Sequence, residues 1–319
     1  MAKQKMLICG ASGFIGYNIA EYYGKQNEYE IVGTYNKSEA PQIPNVTMVQ
    51  ADLRKSEDVE KLVKGTDIII QMAATTSGAK DIVARPYIHV TDNAVVNSLL
   101  FRAAFDHKVK HVVYPSCSIM YQPSDTPLKE EDFNPCEEIH DKYCGAGWTK
   151  VYLEKISKFF ADRSDTKYTV FRHSNVYGPH DKYDLEKSHV FGATITKVMT
   201  NQTGAITVWG TGEEERDLLH VDDIVNFIDL AIKKQTTKYE LVNVGYGHSI
   251  SVANLVKKII DSSGSNLKIE FDPKGPTIKT KLALDYSKAK KIYGWEPKIS
   301  LEQGIEMTMD WYKKNIATS

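Results

Sequence analysis

The 319-residue chain has little cysteine, and Cys9, Cys117, Cys136 and Cys144 fall into no C-x-x-C pair. That spacing excludes a disulfide scaffold and leaves a structural zinc site only as a minor alternative, so a reduced, cytoplasmic protein is expected. Long apolar runs are also missing. None approaches the roughly 20 residues that span a bilayer, and Met6 to Cys9 is too short and wrongly flanked for a signal peptide. Nor does one sign of charge dominate: 40 basic against 41 acidic side chains leave a net charge of -1. Such a surface has no general attraction for nucleic acid or an anionic membrane. Internal repeats and low-complexity tracts are absent. What remains is a protein for a small molecule, long enough for one large α/β domain or for a nucleotide-binding domain with a smaller lobe.

What is present is an alternation. Short apolar runs at Lys5 to Cys9, Glu30 to Tyr35, Thr47 to Gln50, Asp67 to Gln71, His111 to Pro115 and Tyr168 to His173 read as strands. Between them, Phe14 to Gln26, Ser56 to Val63, Asn93 to His107, Gly147 to Arg163 and Glu186 to Asn201 carry helical spacing. Strands separated by helices pair in parallel through right-handed crossovers, which predicts a Rossmann-type doubly wound α/β sheet. Beyond Gly178 the rhythm loosens into joints at Gly210 to Gly212, Gly245 to Gly247 and Asp272 to Pro276. The expected division is a dinucleotide-binding domain over 1–177, rejoined by about 219–245, and a smaller α/β substrate lobe made mainly of 178–319.

The strand ending at Cys9 runs into Gly10-Ala11-Ser12-Gly13-Phe14-Ile15-Gly16 and then into an amphipathic helix. In that setting Gly10 permits a tight turn, Gly13 lets a pyrophosphate approach the backbone, and Gly16 lets the helix pack on the strand. The phosphates meet free N–H groups at the positive end of the helix. The spacing is G-x-x-G-x-x-G, a variant of the G-x-G-x-x-G fingerprint. An NAD site offers a carboxylate after the second strand for the ribose hydroxyls. Here the chain reads Thr34-Tyr35-Asn36-Lys37-Ser38. Lys37 and Asn36 suit a ribose phosphate, so NADP(H) is favoured, with NAD(H) possible; Lys37 can equally be a solvated loop cation. Asp52 and Leu53 are expected near the adenine, and Ala73, Ala74 and Thr75 where the cofactor backbone passes.

With Ala51-Asp52-Leu53, Met72-Ala73-Ala74, Asn175-Val176-Tyr177-Gly178-Pro179 and Arg216-Asp217-Leu218-Leu219-His220-Val221-Asp222-Asp223, the chain resembles the extended short-chain dehydrogenase/reductase family over nearly its whole length. Within it, Gly178-Pro179-His180-Asp181, Ser188-His189-Val190 and Val208-Trp209-Gly210-Thr211-Gly212 are similar to the GDP-fucose synthase branch. The resemblance implies a nucleotide-sugar substrate, GDP-linked by preference, and hydride transfer at a sugar carbon, with a Ser, a Tyr and a Lys in the pattern Y-x-x-x-K handling the proton. Lys150 fits, but Ala146 stands where the Tyr belongs, and Cys117, flanked by Ser116 and Ser118, stands where the Ser belongs.

Three readings follow. Tyr143, seven residues before Lys150, replaces the phenol if the helix starts early enough to put both on one face, against which Gly145 and Gly147 count. Alternatively Cys117 or a flanking serine carries the proton through water, with Lys150 retained for the cofactor and His189 as acid or base. Or the chain binds a nucleotide sugar without turning it over rapidly. The resemblance also gives His189 the acid's part in epimerisation, but places Ile119 where a cysteine partner is needed, so reduction or oxidation at C4 is favoured over epimerisation. A capping histidine is the bland alternative. His173 is expected beside the cofactor. Arg216 and Lys197 are expected on the diphosphate, since Arg pairs two phosphate oxygens, and Trp209 and Asn175 on the base, sugar or nicotinamide. Asp222 and Asp223 read as helix caps. No resident metal is expected. Helices 93–107 and 147–163 carry apolar residues on more than one face, and the family pairs such helices across a homodimer.

Overall fold

The computed structural model describes residues 2–75, 86–185, 188–275 and 280–316. Seven strands, β1 (Lys5–Cys9), β2 (Glu30–Tyr35), β3 (Val46–Gln50), β4 (Ile68–Gln71), β5 (His111–Cys117), β6 (Lys167–His173) and β10 (Tyr239–Val244), make one sheet in the order β10-β6-β5-β4-β1-β2-β3. Every pairing in it is parallel. The chain moves outward one way from β1 and the other way from β4, so the strand order reverses between these two, and a crevice opens beyond their carboxyl ends.

A parallel sheet is buried on both faces, and alternate residues divide between them. Met6, Ile8, Ile68, Ile70, Phe171 and Val242 enter one core, completed by α1 (Phe14–Gln26), α6 (Val221–Lys234) and α8 (Ser287–Tyr293). Leu7, Cys9, Ile69, Val112 and Val170 enter the other, under α2 (Ser56–Val63), α3 (Pro86–Asp106) and α4 (Cys144–Ala161). A third core joins the strands β7 (Asn175–Tyr177), β9 (Glu215–His220) and β11 (Ser249–Ser251), the parallel pair β8 (Ala205–Trp209) and β12 (Lys268–Asp272), and the helices α5 (Val190–Met199), α7 (Val252–Ser263) and α9 (Leu301–Asn315).

The elements depart from expectation where tertiary contacts outweigh local pattern. Helix α3 begins at Pro86, seven residues before the expected Asn93; proline is well suited to a first helical position. Strand β5 continues past Pro115 to Cys117, because Ser116 and Cys117 pair with Arg172 and His173 of β6. Helix α4 begins at Cys144, leaving Tyr143 as its N-cap. Helix α5 starts at Val190 after His189, and the expected start at Glu186 and Lys187 lies outside the described residues, as does Pro276 of the expected joint. His220, rather than Asp222 or Asp223, caps α6 by accepting the Asp222 N–H at 3.2 Å. Asp223 instead accepts the N–H groups of Lys298 and Ile299 and so ties down the C-terminal segment. No helix among the described residues is long and apolar enough to cross a membrane.

Candidate active site

The glycine loop fills the switch point. Gly10 has φ +75°, a conformation that favours glycine, and an added Cβ would lie 2.7 Å from the Ala73 backbone. The ends of β1 and β4 therefore touch through a residue without a side chain. At Gly16 a Cβ would come within 2.1 Å of the Gly10 carbonyl oxygen, so the first turn of α1 lies hard against the loop. Gly13 differs: it is exposed at the helix N-cap, and a Cβ there would meet only the Gly10 oxygen at 3.4 Å. Nothing in the protein crowds it. The loop thus presents a bare surface and the first-turn amides of α1 to the crevice, a cradle that fits a dinucleotide pyrophosphate.

Around the loop, the Gly10 N–H donates to Thr34 Oγ1 (2.9 Å), and Ser38 Oγ donates to Ser12 Oγ (2.9 Å), which brings the end of β2 beside the loop. Asn36 and Lys37 are exposed there, and Lys37 takes no carboxylate partner among the described residues. Asp52 does not offer a free carboxylate to the adenine: Arg54 grips it at 2.9 and 2.8 Å and holds its pKa down at about 2. Leu53 is buried in the core. Thr75 is fixed by α3, its N–H donating to Asn93 Oδ1 at 2.9 Å.

At the ends of β5 and β6, six groups form a ring in which each influences the charge of the next: Tyr143, Cys117, Lys150, His173, His189 and Arg216. Tyr143, Cys117, Lys150, His173 and Arg216 are half-buried, while His189 is exposed. Enclosure pushes the Cys117 thiol and the Tyr143 phenol up and the Lys150 ammonium down. The Lys150 charge draws the thiol back, whereas the cation that acts on Tyr143 is Arg216. Lys150 Nζ donates to the Pro115 carbonyl at 2.8 Å and lies 4.9 Å above the Tyr114 ring centre. His173 is pushed down to about 4 by enclosure, and His189 also falls, through enclosure and then the charges of Lys182 and Arg216. Although His189 is the N-cap of α5, its imidazole makes no capping bond.

Ser116 is not in this ring. Its hydroxyl is fully buried and donates to Glu154 Oε1 at 2.6 Å, which removes it from the cleft. Ser118 is buried as well, beside the strand end. Toward the smaller sheets, Arg216 Nη1 donates to the Glu215 carbonyl (2.7 Å) and to Thr280 Oγ1 (2.6 Å). Lys197 Nζ donates to the Thr207 carbonyl (2.7 Å) and lies 5.6 Å from the Trp209 ring centre, with that ring 49% exposed. Asn175 is exposed on β7, bonded to the Asp217 carbonyl at 3.2 Å. Sequence reading missed Glu154 and Arg172. The signal was present as a lone arginine inside the apolar strand Tyr168-Thr169-Val170-Phe171-Arg172, where a charge demands a buried partner.

A glycine cradle at a switch point, with a lysine, a phenol, a thiol and two imidazoles at the adjoining strand ends, defines an enzyme of Rossmann type that works with a bound dinucleotide. The chain belongs to the NAD dependent epimerase/dehydratase family, whose model matches residues 6–245. It is accordingly an NAD(P)-dependent enzyme of that family, and its cofactor is a nicotinamide dinucleotide. The chain is 25% identical to GDP-L-colitose synthase of Yersinia pseudotuberculosis over 314 residues, covering 97% of each. It is 28% identical to GDP-L-fucose synthase of Azorhizobium caulinodans over 320 residues, covering 97% of this chain and 96% of that one. Among solved structures, UDP-glucose 4-epimerase of Thermotoga maritima with UDP-glucose superposes with a TM-score of 0.87 at 26% identity, over 98% of this chain and 100% of that one.

Proposed function

We propose that the protein transfers hydride at C4 of a GDP-linked hexose or heptose, in its 4-keto or 4-hydroxy form, using NADP(H). The observation that carries this reading is the glycine cradle at the switch point, with Lys150 Nζ on the Pro115 carbonyl and Cys117 paired with His173 at the adjoining ends of β5 and β6. When bound, the nicotinamide supplies or accepts the hydride. The chain's own groups handle the proton and the substrate's charge. Tyr143, its pKa raised by enclosure, stays protonated at neutral pH and donates to the sugar oxygen; Cys117 adjoins it in the serine's place. Lys150 serves the cofactor and holds the end of β5, Arg216 and Lys197 meet the diphosphate, and Trp209 offers a face to the base. A GDP-sugar is supported by the likeness to GDP-L-colitose synthase and GDP-L-fucose synthase, and NADP(H) by Lys37 and Asn36 where an NAD site carries a carboxylate. We read 178–319 mainly as the lobe that holds the sugar nucleotide.

His189 and His173 are both held below the ordinary imidazole range. Neutral imidazoles are poor acids at neutral pH, which favours simple reduction over epimerisation. Epimerisation with transient redox is the second reading, supported by the likeness to a 4-epimerase. Val95, Trp148, Tyr152 and Phe159 are 43%, 38%, 47% and 47% exposed along α3 and α4, a face suited to a homodimer; sedimentation as a monomer only would overturn that part.

The deciding experiment is native mass spectrometry of the purified protein, followed by absorbance at the reduced-nicotinamide band with GDP-sugars and their 4-keto forms. A bound or titratable dinucleotide and net oxidation or reduction are expected. No affinity for either dinucleotide would overturn the reading, and sugar inversion with no net redox change would replace it with the second.

A further inference from the structure

Glu154 follows Lys150 by one helical turn on α4, and both grip the same strand. Lys150 Nζ takes the Pro115 carbonyl at 2.8 Å, while Glu154 Oε1 takes the Ser116 hydroxyl at 2.6 Å. The same carboxylate receives Arg172 Nε at 2.9 Å and Nη2 at 2.8 Å. Ser116 and Arg172 face each other across β5 and β6, and the next rung is Cys117 opposite His173. Arg172 also donates to Tyr121 Oη (2.7 Å) and the Glu130 carbonyl (3.1 Å), and Tyr121 donates to Asn243 Oδ1 on β10 (2.9 Å). Glu154 and Arg172 are each 3% exposed. A buried ion pair is weak evidence for stability, because desolvation offsets much of its attraction. Its geometry here does something more specific.

We propose that Glu154 is a positioning residue: by holding Ser116 and Arg172 on one rung, it sets the spacing between Lys150 and the pair Cys117 and His173 on the next. This rests on the reading of that ring as the reacting centre. The charged and titratable groups whose charge reaches Cys117 are Lys150 and Glu154 from α4, Arg172 from β6, Tyr114 within β5 and Tyr143 before α4; Lys150 and His189 act on His173.

The test compares Ser116→Ala, which removes a hydroxyl and no charge, with Glu154→Gln, both in a Cys136→Ser, Cys144→Ser parent. Two quantities are read: kcat and KM, and the pH midpoint of Cys117 alkylation by iodoacetamide, followed by mass spectrometry. Ser116→Ala is expected to lower kcat by on the order of tenfold to a hundredfold with KM within about twofold, the signature of lost alignment rather than lost binding. Its alkylation midpoint rises, because the thiol moves away from the Lys150 cation. If Ser116→Ala lowers only the melting temperature, with kcat and the midpoint unmoved, and Glu154→Gln likewise leaves kcat unmoved, positioning is overturned. Should the parent turn over no sugar at all, the proposed reaction fails, and the alkylation midpoint still decides the role of Glu154.

Discussion

The two ends of the cleft are held by different forces. At the cofactor end the constraint is steric and lies in the backbone: β1 and β4 meet at Gly10, and α1 meets the loop at Gly16, with no room for one more carbon. At the reacting end it is electrostatic and lies in side chains brought from the end of β5, the turn before α4, α4 itself, the end of β6, the start of α5 and β9. The contact of Gly16 with Gly10 is local and leaves a glycine spacing that can be read, even though the approach of Gly10 to Ala73 is not local. A charge network acts between residues far apart, 73 positions from Tyr143 to Arg216, and leaves none.

The sharpest way to break this contrast is at the loop. Gly16→Ala puts a Cβ 2.1 Å from a backbone oxygen, and the expected outcome is destabilisation by ~3 kcal/mol or more with loss of dinucleotide binding. Urea unfolding and native mass spectrometry measure both. Gly13→Ala is the control, since its φ of -91° suits any residue and its only close neighbour is at 3.4 Å. Its stability should change by less than ~1 kcal/mol, while dinucleotide affinity falls. If Gly13→Ala binds as well as the parent, the pyrophosphate does not lie against the loop as proposed.

At the other end, Tyr143→Phe should lower kcat by roughly 10² to 10³, the contribution of a positioned proton donor, with KM little changed. Burial raises the phenol's pKa and Arg216 draws it back. Reduction needs the protonated form, so its rate should hold through neutral pH and fall as pH rises through that pKa; oxidation should do the reverse. Full activity in Tyr143→Phe, with loss in Cys117→Ala, would assign the proton to the thiol, on which Lys150 acts directly.

How far the sequence was legible follows the same division. The sheet, helix α1 and the glycine loop could be read because period and spacing are local. The ring could be read only in part. Lys150 and Arg216 stood in recognisable patterns, but the pairing of Arg216 rather than Lys150 with Tyr143 depends on how β9 reaches the turn before α4. Ser116 was misplaced for a reason already in the sequence: Ser116 and Cys117 are neighbours in a strand and point to opposite faces, so only one could line the cleft. Glu154 was hidden because a glutamate on an amphipathic helix ordinarily faces water.

Arg216→Lys tests the substrate side more gently. Lysine keeps the charge but loses the planar fork, so KM for the nucleotide sugar should rise by about tenfold while kcat changes less. A matching fall in kcat would instead make Arg216 part of the proton path through Tyr143.

The smallest effect is expected at Lys37, where the cofactor end itself turns electrostatic. The side chain is exposed at the end of β2, next to a loop whose Ser12 is bonded to Ser38. An exposed cation of this kind contributes up to ~1 kcal/mol to a charge pair and is screened by salt. Lys37→Ala should therefore reduce the preference for NADP(H) over NAD(H) by about fivefold at low ionic strength, and by less as salt is added. Lys37→Glu should go further, since a carboxylate there can accept the ribose hydroxyls that NAD(H) carries in place of the phosphate. Dissociation constants for the two dinucleotides, measured by fluorescence titration at two salt concentrations, separate the outcomes. A preference that ignores both substitutions would move the discrimination from this lysine to the backbone around it, leaving steric fit in charge of the whole cofactor end.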